Sequence, residues 1–245
     1  MFTSDVNYDK FMGRYSMRLA PLFADFAGVA QGARVLDVGA GTGALTAELA
    51  RRDAAAGAVD PAPAFAEALR TRFPGLDVRE APAESLPWPD ESFDAALAQL
   101  VVSFMRDARV GVAEMQRVAR PGGVVAVCMW DRDGMELLAA INRVQATVTP
   151  ERTADISPYR RREALEELLG ADAQSELLEV EASYTGFDDF WDSLTGGVGP
   201  AGAWLESLTD AQREQAREAA YREVGEPDGA FTLVGRAWAT RATRA

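Results

Sequence analysis

The chain contains no histidine among its 245 residues. This absence excludes imidazole as a general acid or base and as a metal ligand. The single cysteine, Cys128, excludes an intrachain disulfide, and its position in an apolar run favours a buried structural thiol over a reactive one. Because the sequence also lacks any cluster with metal-ligand spacing, we predict that the protein holds no metal ion.

Positive charge is also scarce. The chain has 38 acidic and 25 basic residues, a formal net charge of −13, and Lys10 is its only lysine. Nucleic-acid phosphates and anionic membranes would repel such a chain, so we expect neither as a partner. No run approaches the roughly 18 apolar residues of a membrane span, and residues 1–5 show no signal-peptide features. We expect a cytoplasmic protein that is a monomer or a homodimer.

Short apolar strands alternate with amphipathic helices through about residue 130. Strands are predicted over 34–38, 56–59, 76–81, 93–100 and 124–129, and helices over 12–27, 43–52, 63–73 and 109–119. This alternation predicts a parallel sheet with helices on both faces.

The pattern changes after Trp130. Helices are predicted over 133–148, 161–169 and 208–224, strands over 177–185 and 231–239, and a glycine-rich loop at Gly196, Gly197 and Gly199. We expect the late strand pair to form an antiparallel edge hairpin, with the intervening helices acting as a cap.

A glycine-rich loop, residues 39–43 (GAGTG), joins the first predicted strand to the next helix. Glycine permits a tight turn and a close approach of backbone N–H groups to a ligand, and the helix N-terminus favours negative charge there. Asp60 ends the second strand about 20 residues later, where a carboxylate can accept hydrogen bonds from both hydroxyls of a ribose. The pattern indicates a nucleoside-type cofactor without choosing one, because Gly39, Gly41 and Ala44 also fit the dinucleotide-binding fingerprint.

Three further segments accompany the loop: residues 8–16 (YDKFMGRYS), 83–94 (AESLPWPDESFD) and 117–123 (RVARPGG). With the loop, in this order, they resemble the class I S-adenosylmethionine-dependent methyltransferases, in the small-molecule branch similar to quinone-biosynthesis methyltransferases. The resemblance implies an α/β fold with a Rossmann-like, doubly wound, seven-stranded sheet, mostly parallel, with an antiparallel edge hairpin strand at the C-terminus and a helical cap insertion. We expect a single domain over 1–245, with a cofactor-binding core at 8–130, cap and late strand elements at about 131–229, and the last strand at 231–239.

The resemblance assigns contacts with S-adenosylmethionine by position. Gly39, Ala40 and Gly41 would pack against the methionine and ribose part of the cofactor. Asp60 would hold the ribose hydroxyls, and Pro61 would lie close to the adenine.

Four other positions complete this part of the implied site. Asp37 would support the glycine loop or the amino group of the cofactor, Ala83 and Glu84 would flank the adenine edge, and Gln99 would lie near the methionine part. Pro82 departs from the family pattern, because many relatives carry there an aspartate that accepts a hydrogen bond from the adenine amino group. The adenine contact must therefore come from Glu84, from backbone groups, or be weaker.

The N-terminal segment is the last part of the implied site. In similar enzymes it folds over the cofactor, which makes Tyr8, Met12 and Arg14 candidate contacts. A guanidinium suits bidentate recognition of a carboxylate, so Arg14 is a candidate partner of the cofactor's carboxylate.

The implied reaction is methyl transfer to a small, fairly apolar metabolite, with oxygen, nitrogen or carbon as the acceptor atom. An in-line displacement at a sulfonium needs alignment and exclusion of water, so proximity and orientation can supply most of the rate. A general base is needed only if the nucleophile arrives protonated. Asp131 is the candidate base or substrate anchor, and a loop-capping role for it is equally open.

Two other functions remain open at this point. One is a methyltransferase-like protein that binds the cofactor but acts as a cyclase or a scaffold, which the absent histidine and Pro82 favour. The other is a nicotinamide-dependent oxidoreductase, which would have no need for the segment at residues 83–94.

Overall fold

The computed structural model of the protein describes residues 9–151, 157–195 and 199–245. The chain forms two compact units. The larger unit comprises Ser16–Asp131, Ser157–Leu178 and Arg236–Ala245, and the smaller unit comprises the described parts of 1–15, 132–156 and 179–235. The predicted division into a core at 8–130, a cap at 131–229 and a last strand at 231–239 stays a prediction.

Within the described residues, seven strands form one sheet in the order β3-β2-β1-β4-β5-β7-β6. The strands are β1 Val35–Val38, β2 Ala55–Asp60, β3 Asp77–Glu80, β4 Phe93–Gln99, β5 Ala119–Met135, β6 Gln174–Tyr184 and β7 Phe231–Thr243. The pairs β1–β2, β1–β4, β2–β3 and β4–β5 are parallel. All four residues of β1 are buried, as expected for a parallel strand covered on both faces.

Strand β7 runs antiparallel to both of its neighbours. Gly122, near the start of β5, donates its N–H to the carbonyl of Arg244, just beyond β7, at 2.9 Å. Ser175, near the start of β6, bonds to Thr240, near the end of β7, at 2.9 Å, and Ser183 bonds to Thr232 at 3.4 Å. The predicted Rossmann-like sheet, mostly parallel with an antiparallel strand near its C-terminal edge, is confirmed.

The helices alternate with the strands in the larger unit and cluster in the smaller one. They are α1 Arg14–Phe26, α2 Ala44–Arg51, α3 Pro63–Arg72, α4 Ala108–Val118, α5 Glu136–Val148, α6 Arg162–Leu169, α7 Phe187–Thr195, α8 Gly199–Ser207 and α9 Asp210–Glu223. The local sequence explains where several of these helices begin. Pro63 occupies the first turn of α3, Asp107 accepts from two backbone N–H groups at the start of α4, and Thr209 forms a capping box with Gln212 at the start of α9.

Apolar side chains of β1, β4 and β5 form the core of the larger unit together with those of α4 and α6. Leu36, Met115 and Leu165 are fully buried in it. Trp88 and Phe93 pack edge to face with ring centroids 5.6 Å apart, which closes the core at the start of β4.

The predicted boundaries around residue 130 are wrong, and the last strand, predicted to end at residue 239, ends at Thr243. The helix expected from residue 133 begins at Glu136, because β5 continues to Met135 instead of ending at residue 129. The reason is the long partner strand β7. A Cβ placed on Gly235 of β7 would lie 2.8 Å from the Met135 sulfur, and Val234 donates its N–H to Glu136 Oε2 at 2.6 Å.

The glycine-rich loop was predicted at Gly196, Gly197 and Gly199. Gly196 and Gly197 lie outside the described residues, whereas Gly199 begins helix α8 instead of belonging to a loop. Helix α7, just before it, is not predicted from the sequence.

Among the described residues, no helix combines the length and the apolar character needed to cross a bilayer. Nor does the described part of the chain bring together three or more histidine, cysteine, aspartate or glutamate side chains able to hold a metal ion.

Candidate functional site

The loop between β1 and α2 is a tight turn with a left-handed backbone at each of its glycines. The φ angles are +70° at Gly39, +54° at Gly41 and +88° at Gly43, a region that glycine adopts without steric cost. The N–H groups of Gly39 and Ala40 both donate to the Val59 carbonyl, at 2.8 and 3.0 Å, which fastens the turn to β2.

The glycines of this turn face different surroundings. A Cβ on Gly39 would lie 2.5 Å from Cγ1 of Val101, so the side chain of Val101 occupies the space beside that backbone. A Cβ on Gly41 would have no atom within 4 Å. Gly39 is therefore required by the packing of the fold, whereas the backbone of Gly41 borders open space that a ligand can fill.

The carboxylate of Asp60, the last residue of β2, binds the backbone of the turn. Its Oδ2 accepts the N–H of Gly41 at 2.9 Å, and its Oδ1 accepts the N–H of Ala62 at 2.9 Å. The side chain is 6% exposed, and burial raises its pKa although the two backbone N–H groups oppose the rise. Each carboxylate oxygen can accept a further hydrogen bond, so Asp60 retains the capacity to bind two hydroxyls.

Asp37, in β1, is a buried carboxyl in the same unit. It is 1% exposed, and its Oδ2 accepts a hydrogen bond from the Thr46 hydroxyl at 2.6 Å. Burial raises the pKa of Asp37 to about 7, the bond from Thr46 opposes this rise, and the charge of Asp60 adds to it. A positive group brought close would favour the ionised form of Asp37.

Gln99, the last residue of β4, leaves a buried acceptor without a partner. Its Nε2 donates to the Ser16 carbonyl at 3.0 Å, which fixes the orientation of the amide because a carbonyl can only accept. Gln99 Oε1 and the Ser16 hydroxyl are both buried and have no hydrogen-bond partner among the described residues. Buried polar atoms are rarely left unpaired, so this pair is suited to a polar ligand.

Leu100, directly after Gln99, adopts φ +63°, which is unusual for a residue with a branched side chain. Backbone strain of this kind clusters at functional sites. The strained turn is followed by Val101, the residue that packs against Gly39. Leu100, Val101, Thr46 and Ser16 bond to or neighbour predicted site residues, and the sequence does not reveal them. The only local signal is a polar threonine on the buried face of α2.

The residues predicted at the adenine end have contacts of their own. Glu84 is half-buried, and its Oε1 accepts the N–H of Asp107, the residue that caps α4, at 3.0 Å. Ala83 is buried, whereas Pro61 and Pro82 are exposed. The adenine contacts of Ala83, Glu84 and Pro61 stay predictions.

Asp131, the candidate base, binds within the sheet. Its Oδ1 accepts the indole N–H of Trp238 in β7 at 2.9 Å, and its backbone carbonyl accepts from Arg160 at 3.2 Å. These contacts favour the structural role that the sequence left open. The role as base or substrate anchor stays a prediction.

The larger unit contains nine of the twelve predicted cofactor contacts: Asp37, Gly39, Ala40, Gly41, Asp60, Pro61, Ala83, Glu84 and Gln99. Met12 and Arg14 belong to the smaller unit, and Tyr8 lies outside the described residues. Met12 is 8% exposed. The guanidinium of Arg14 binds both carboxylate oxygens of Asp189, and its pairing with a cofactor carboxylate stays a prediction.

Single substitutions of Gly39 and Gly41 should affect stability and cofactor binding to different degrees. We expect Gly39→Ala to lower the free energy of unfolding by about 2–4 kcal/mol, because the methyl group meets Val101 and the left-handed backbone adds strain. Gly41→Ala should cost only about 1–2 kcal/mol from the backbone alone, yet abolish binding of the predicted cofactor. Urea unfolding and calorimetric titration measure the two effects.

Val101→Ala provides the matched control. It should restore part of the stability lost in Gly39→Ala, because it removes the methyl groups that the new Cβ meets. Strictly additive losses in the double variant would contradict the proposed steric cause.

Comparison with known proteins shows which family part of the chain matches. Residues 36–127 match the family model described as Methyltransferase domain. An uncharacterized protein of Mycobacterium bovis is 33% identical over 147 residues, which cover 57% of this chain and 52% of that protein. The demethylmenaquinone methyltransferase of Tropheryma whipplei is 38% identical over 104 residues, which cover 41% of this chain and 43% of that enzyme. The chain thus spans about half the length, or less, of these curated relatives.

Among solved structures, a protein named as a candidate type II methyltransferase of Anaeromyxobacter dehalogenans matches with a TM-score of 0.66 and 23% identity. The match covers 93% of this chain and 95% of that one, and at this identity it supports the fold alone. Over residues 36–127 the chain thus matches a methyltransferase domain, and it is similar in sequence to enzymes that include a demethylmenaquinone methyltransferase.

Proposed function

We propose that the protein transfers a methyl group from S-adenosylmethionine to a small-molecule acceptor. The observation that carries this proposal is the buried Asp60 carboxylate, which is fixed by the Gly41 N–H in a turn of left-handed glycines and can still accept two hydrogen bonds. Gln99 Oε1, in the same unit, has no hydrogen-bond partner within the described part of the chain and supports the proposal, because an acceptor atom there suits the ammonium group of an amino acid.

The residues that would hold S-adenosylmethionine follow from these contacts. Asp60 would accept from the ribose hydroxyls, the turn at Gly39 to Gly41 would offer its backbone, and Gln99 would accept from the methionine part. Asp37, with a pKa raised to about 7, would be held ionised by a nearby ammonium group.

When bound, S-adenosylmethionine supplies a methyl group that its sulfonium already activates for displacement. The protein then contributes by orienting the acceptor and excluding water. A chain without histidine must remove any acceptor proton through a carboxylate, a tyrosine or solvent, and Asp131 stays the candidate carboxylate. The Tropheryma whipplei relative, named for demethylmenaquinone, supports a small molecule as the acceptor.

Calorimetric titration of protein freed of copurified cofactor tests the proposal. We expect S-adenosylmethionine and S-adenosylhomocysteine to bind with micromolar affinity, and NAD⁺ and NADH to show no heat. Incubation with methyl-labelled cofactor and a panel of phenolic, quinol, amine and carboxylate acceptors should then move label into one class.

The outcomes separate the candidate functions. No binding of either cofactor form would exclude the proposal. Tight binding without label transfer to any class would favour the alternative of a cofactor-binding cyclase or scaffold. Binding of the nicotinamide cofactor instead would favour an oxidoreductase.

A further inference from the structure

Arg14, at the start of α1, is the centre of a dense cluster of contacts in the smaller unit. Both terminal nitrogens donate to the carboxylate of Asp189 in α7, with Nη1 to Oδ2 at 3.0 Å. Nη1 also donates to the Ser183 carbonyl at 3.0 Å, and Nε donates to the Lys10 carbonyl at 2.8 Å. The guanidinium carbon lies 4.9 Å from the centroid of the Tyr184 ring. We call the bidentate pair the Arg14–Asp189 clasp.

The clasp has the properties of a strong ion pair rather than a surface contact. The two side chains are only 22% and 25% exposed, and bidentate guanidinium–carboxylate pairs are among the stronger protein hydrogen bonds. The Thr185 N–H also donates to Asp189 Oδ2 at 2.9 Å, which holds the carboxylate in position. The bond from Arg14 lowers the pKa of Asp189, so the pair stays charged at neutral pH.

The segment before α1 depends on this pair. Residues Asp9–Gly13 form a single π-helical turn, a conformation too short to be stable by itself. Arg14 Nε satisfies the Lys10 carbonyl of that turn while the terminal nitrogens bind Asp189. The backbone of the turn is therefore tied, through one side chain, to the start of α7.

We propose that Asp189 is a positioning residue, which holds the segment of residues 9–14 in place through Arg14. This segment carries Met12, a predicted cofactor contact, so the functional consequence rests on the proposed function. In this role Arg14 acts on Asp189 and not on the carboxylate of the cofactor.

Lysine-specific proteolysis tests whether the clasp holds the segment in place, because it measures the cleavage rate at Lys10. Lys10 is the only lysine, so a lysyl endoprotease has one cleavage site in the chain, and the site lies inside the segment. Arg14→Ala and Asp189→Ala should each raise the cleavage rate at Lys10 by about 10-fold or more, because cleavage follows local opening. The double variant should cleave no faster than either single variant, because both remove the same contact.

Asp188→Ala is the matched control. Asp188 neighbours Asp189 on α7 and pairs with Arg217 at 2.6 Å, but its side chain is 85% exposed. We expect cleavage of this variant at the wild-type rate. Cleavage of Asp189→Ala at the wild-type rate, or two single effects that simply add in the double variant, would overturn the inference.

Steady-state kinetics separate positioning from general structural damage and from direct contact. Arg14→Ala and Asp189→Ala should raise the KM for S-adenosylmethionine by a similar factor, about 5- to 20-fold, with kcat within about twofold. If Arg14 instead bound the cofactor carboxylate, Arg14→Ala would raise KM far more than Asp189→Ala, and the inference would fail. If the wild-type protein showed no cofactor binding, the proposed function would fail, while the proteolysis result would still decide the role of the clasp.

Discussion

Asp60→Ala is expected to weaken the binding of S-adenosylhomocysteine by roughly 100- to 10,000-fold. Each hydrogen bond to a charged group such as this carboxylate contributes about 1.5–3 kcal/mol, so the loss of two such bonds to the ribose gives this range. The loss should be as large for S-adenosylmethionine, since the two cofactor forms share the ribose. Isothermal titration at fixed pH measures both affinities.

The matched control for this experiment is Asp94→Ala. Asp94 also holds a backbone amide in the larger unit, because its Oδ2 accepts the Arg34 N–H at 2.7 Å, but it lies at the opposite end of β4 from Gln99. We expect it to lower the thermal midpoint without changing cofactor affinity. An unchanged affinity in Asp60→Ala would show that the ribose assignment is wrong.

Asp37→Asn is expected to change how stability depends on pH. Burial raises the pKa of Asp37 to about 7, so folding favours its protonated form. Its contribution to stability is therefore complete below about pH 4 and is lost as pH rises through 7. A shift of this size corresponds to about 4 kcal/mol, which the wild-type protein loses over that interval and the asparagine variant does not.

The measurement is the difference in unfolding free energy between variant and wild type, from urea titrations between pH 4 and pH 8. The difference should rise by about 4 kcal/mol in favour of Asp37→Asn, because other titrating groups cancel in the comparison. The asparagine can still accept from Thr46, so packing is preserved. A difference that does not vary with pH would show that Asp37 titrates at an ordinary carboxyl value.

The first half of the fold can be predicted because its signals are local. The short strand Val35–Val38 is buried at all four residues, Pro63 marks the start of a helix, and the glycine turn follows β1 directly. The position of Asp60 beside Gly41 follows from two parallel neighbouring strands whose carboxyl ends lie at the same edge of the sheet.

The second half is less predictable because its elements depend on distant partners. The extension of β5 to Met135 depends on β7, which follows about 100 residues later in the sequence. Nothing in the sequence of β5 itself indicates this partner. Helix α7 does carry such a signal, since Phe187, Phe190, Trp191 and Leu194 recur at helical spacing, but the glycines that follow obscure it. Helix α8 contains Gly199 and Gly202, which are poor helix formers, and it is stabilised by packing of Trp204 and Leu205.

The candidate site divides in the same way. The glycines and Asp60 are recognisable because their spacing along the chain is fixed by one strand-turn-helix unit. The packing of Val101 beside Gly39, and the hydrogen bond of Gln99 to Ser16, arise between segments far apart in sequence. No local pattern marks residues whose function depends on which distant backbone they touch.

The place of β7 between β5 and β6 also bears on how the protein is made. During synthesis β6 is made before β7, the strand that joins it to the sheet. Its apolar residues Val180, Ala182 and Tyr184 therefore have no partner strand until β7 is made. The edge of β5 that pairs with β7 is also unpaired at this stage, and unpaired strand edges are prone to incorrect strand pairing. The sheet can therefore be completed only after residues 231–243 have been synthesised.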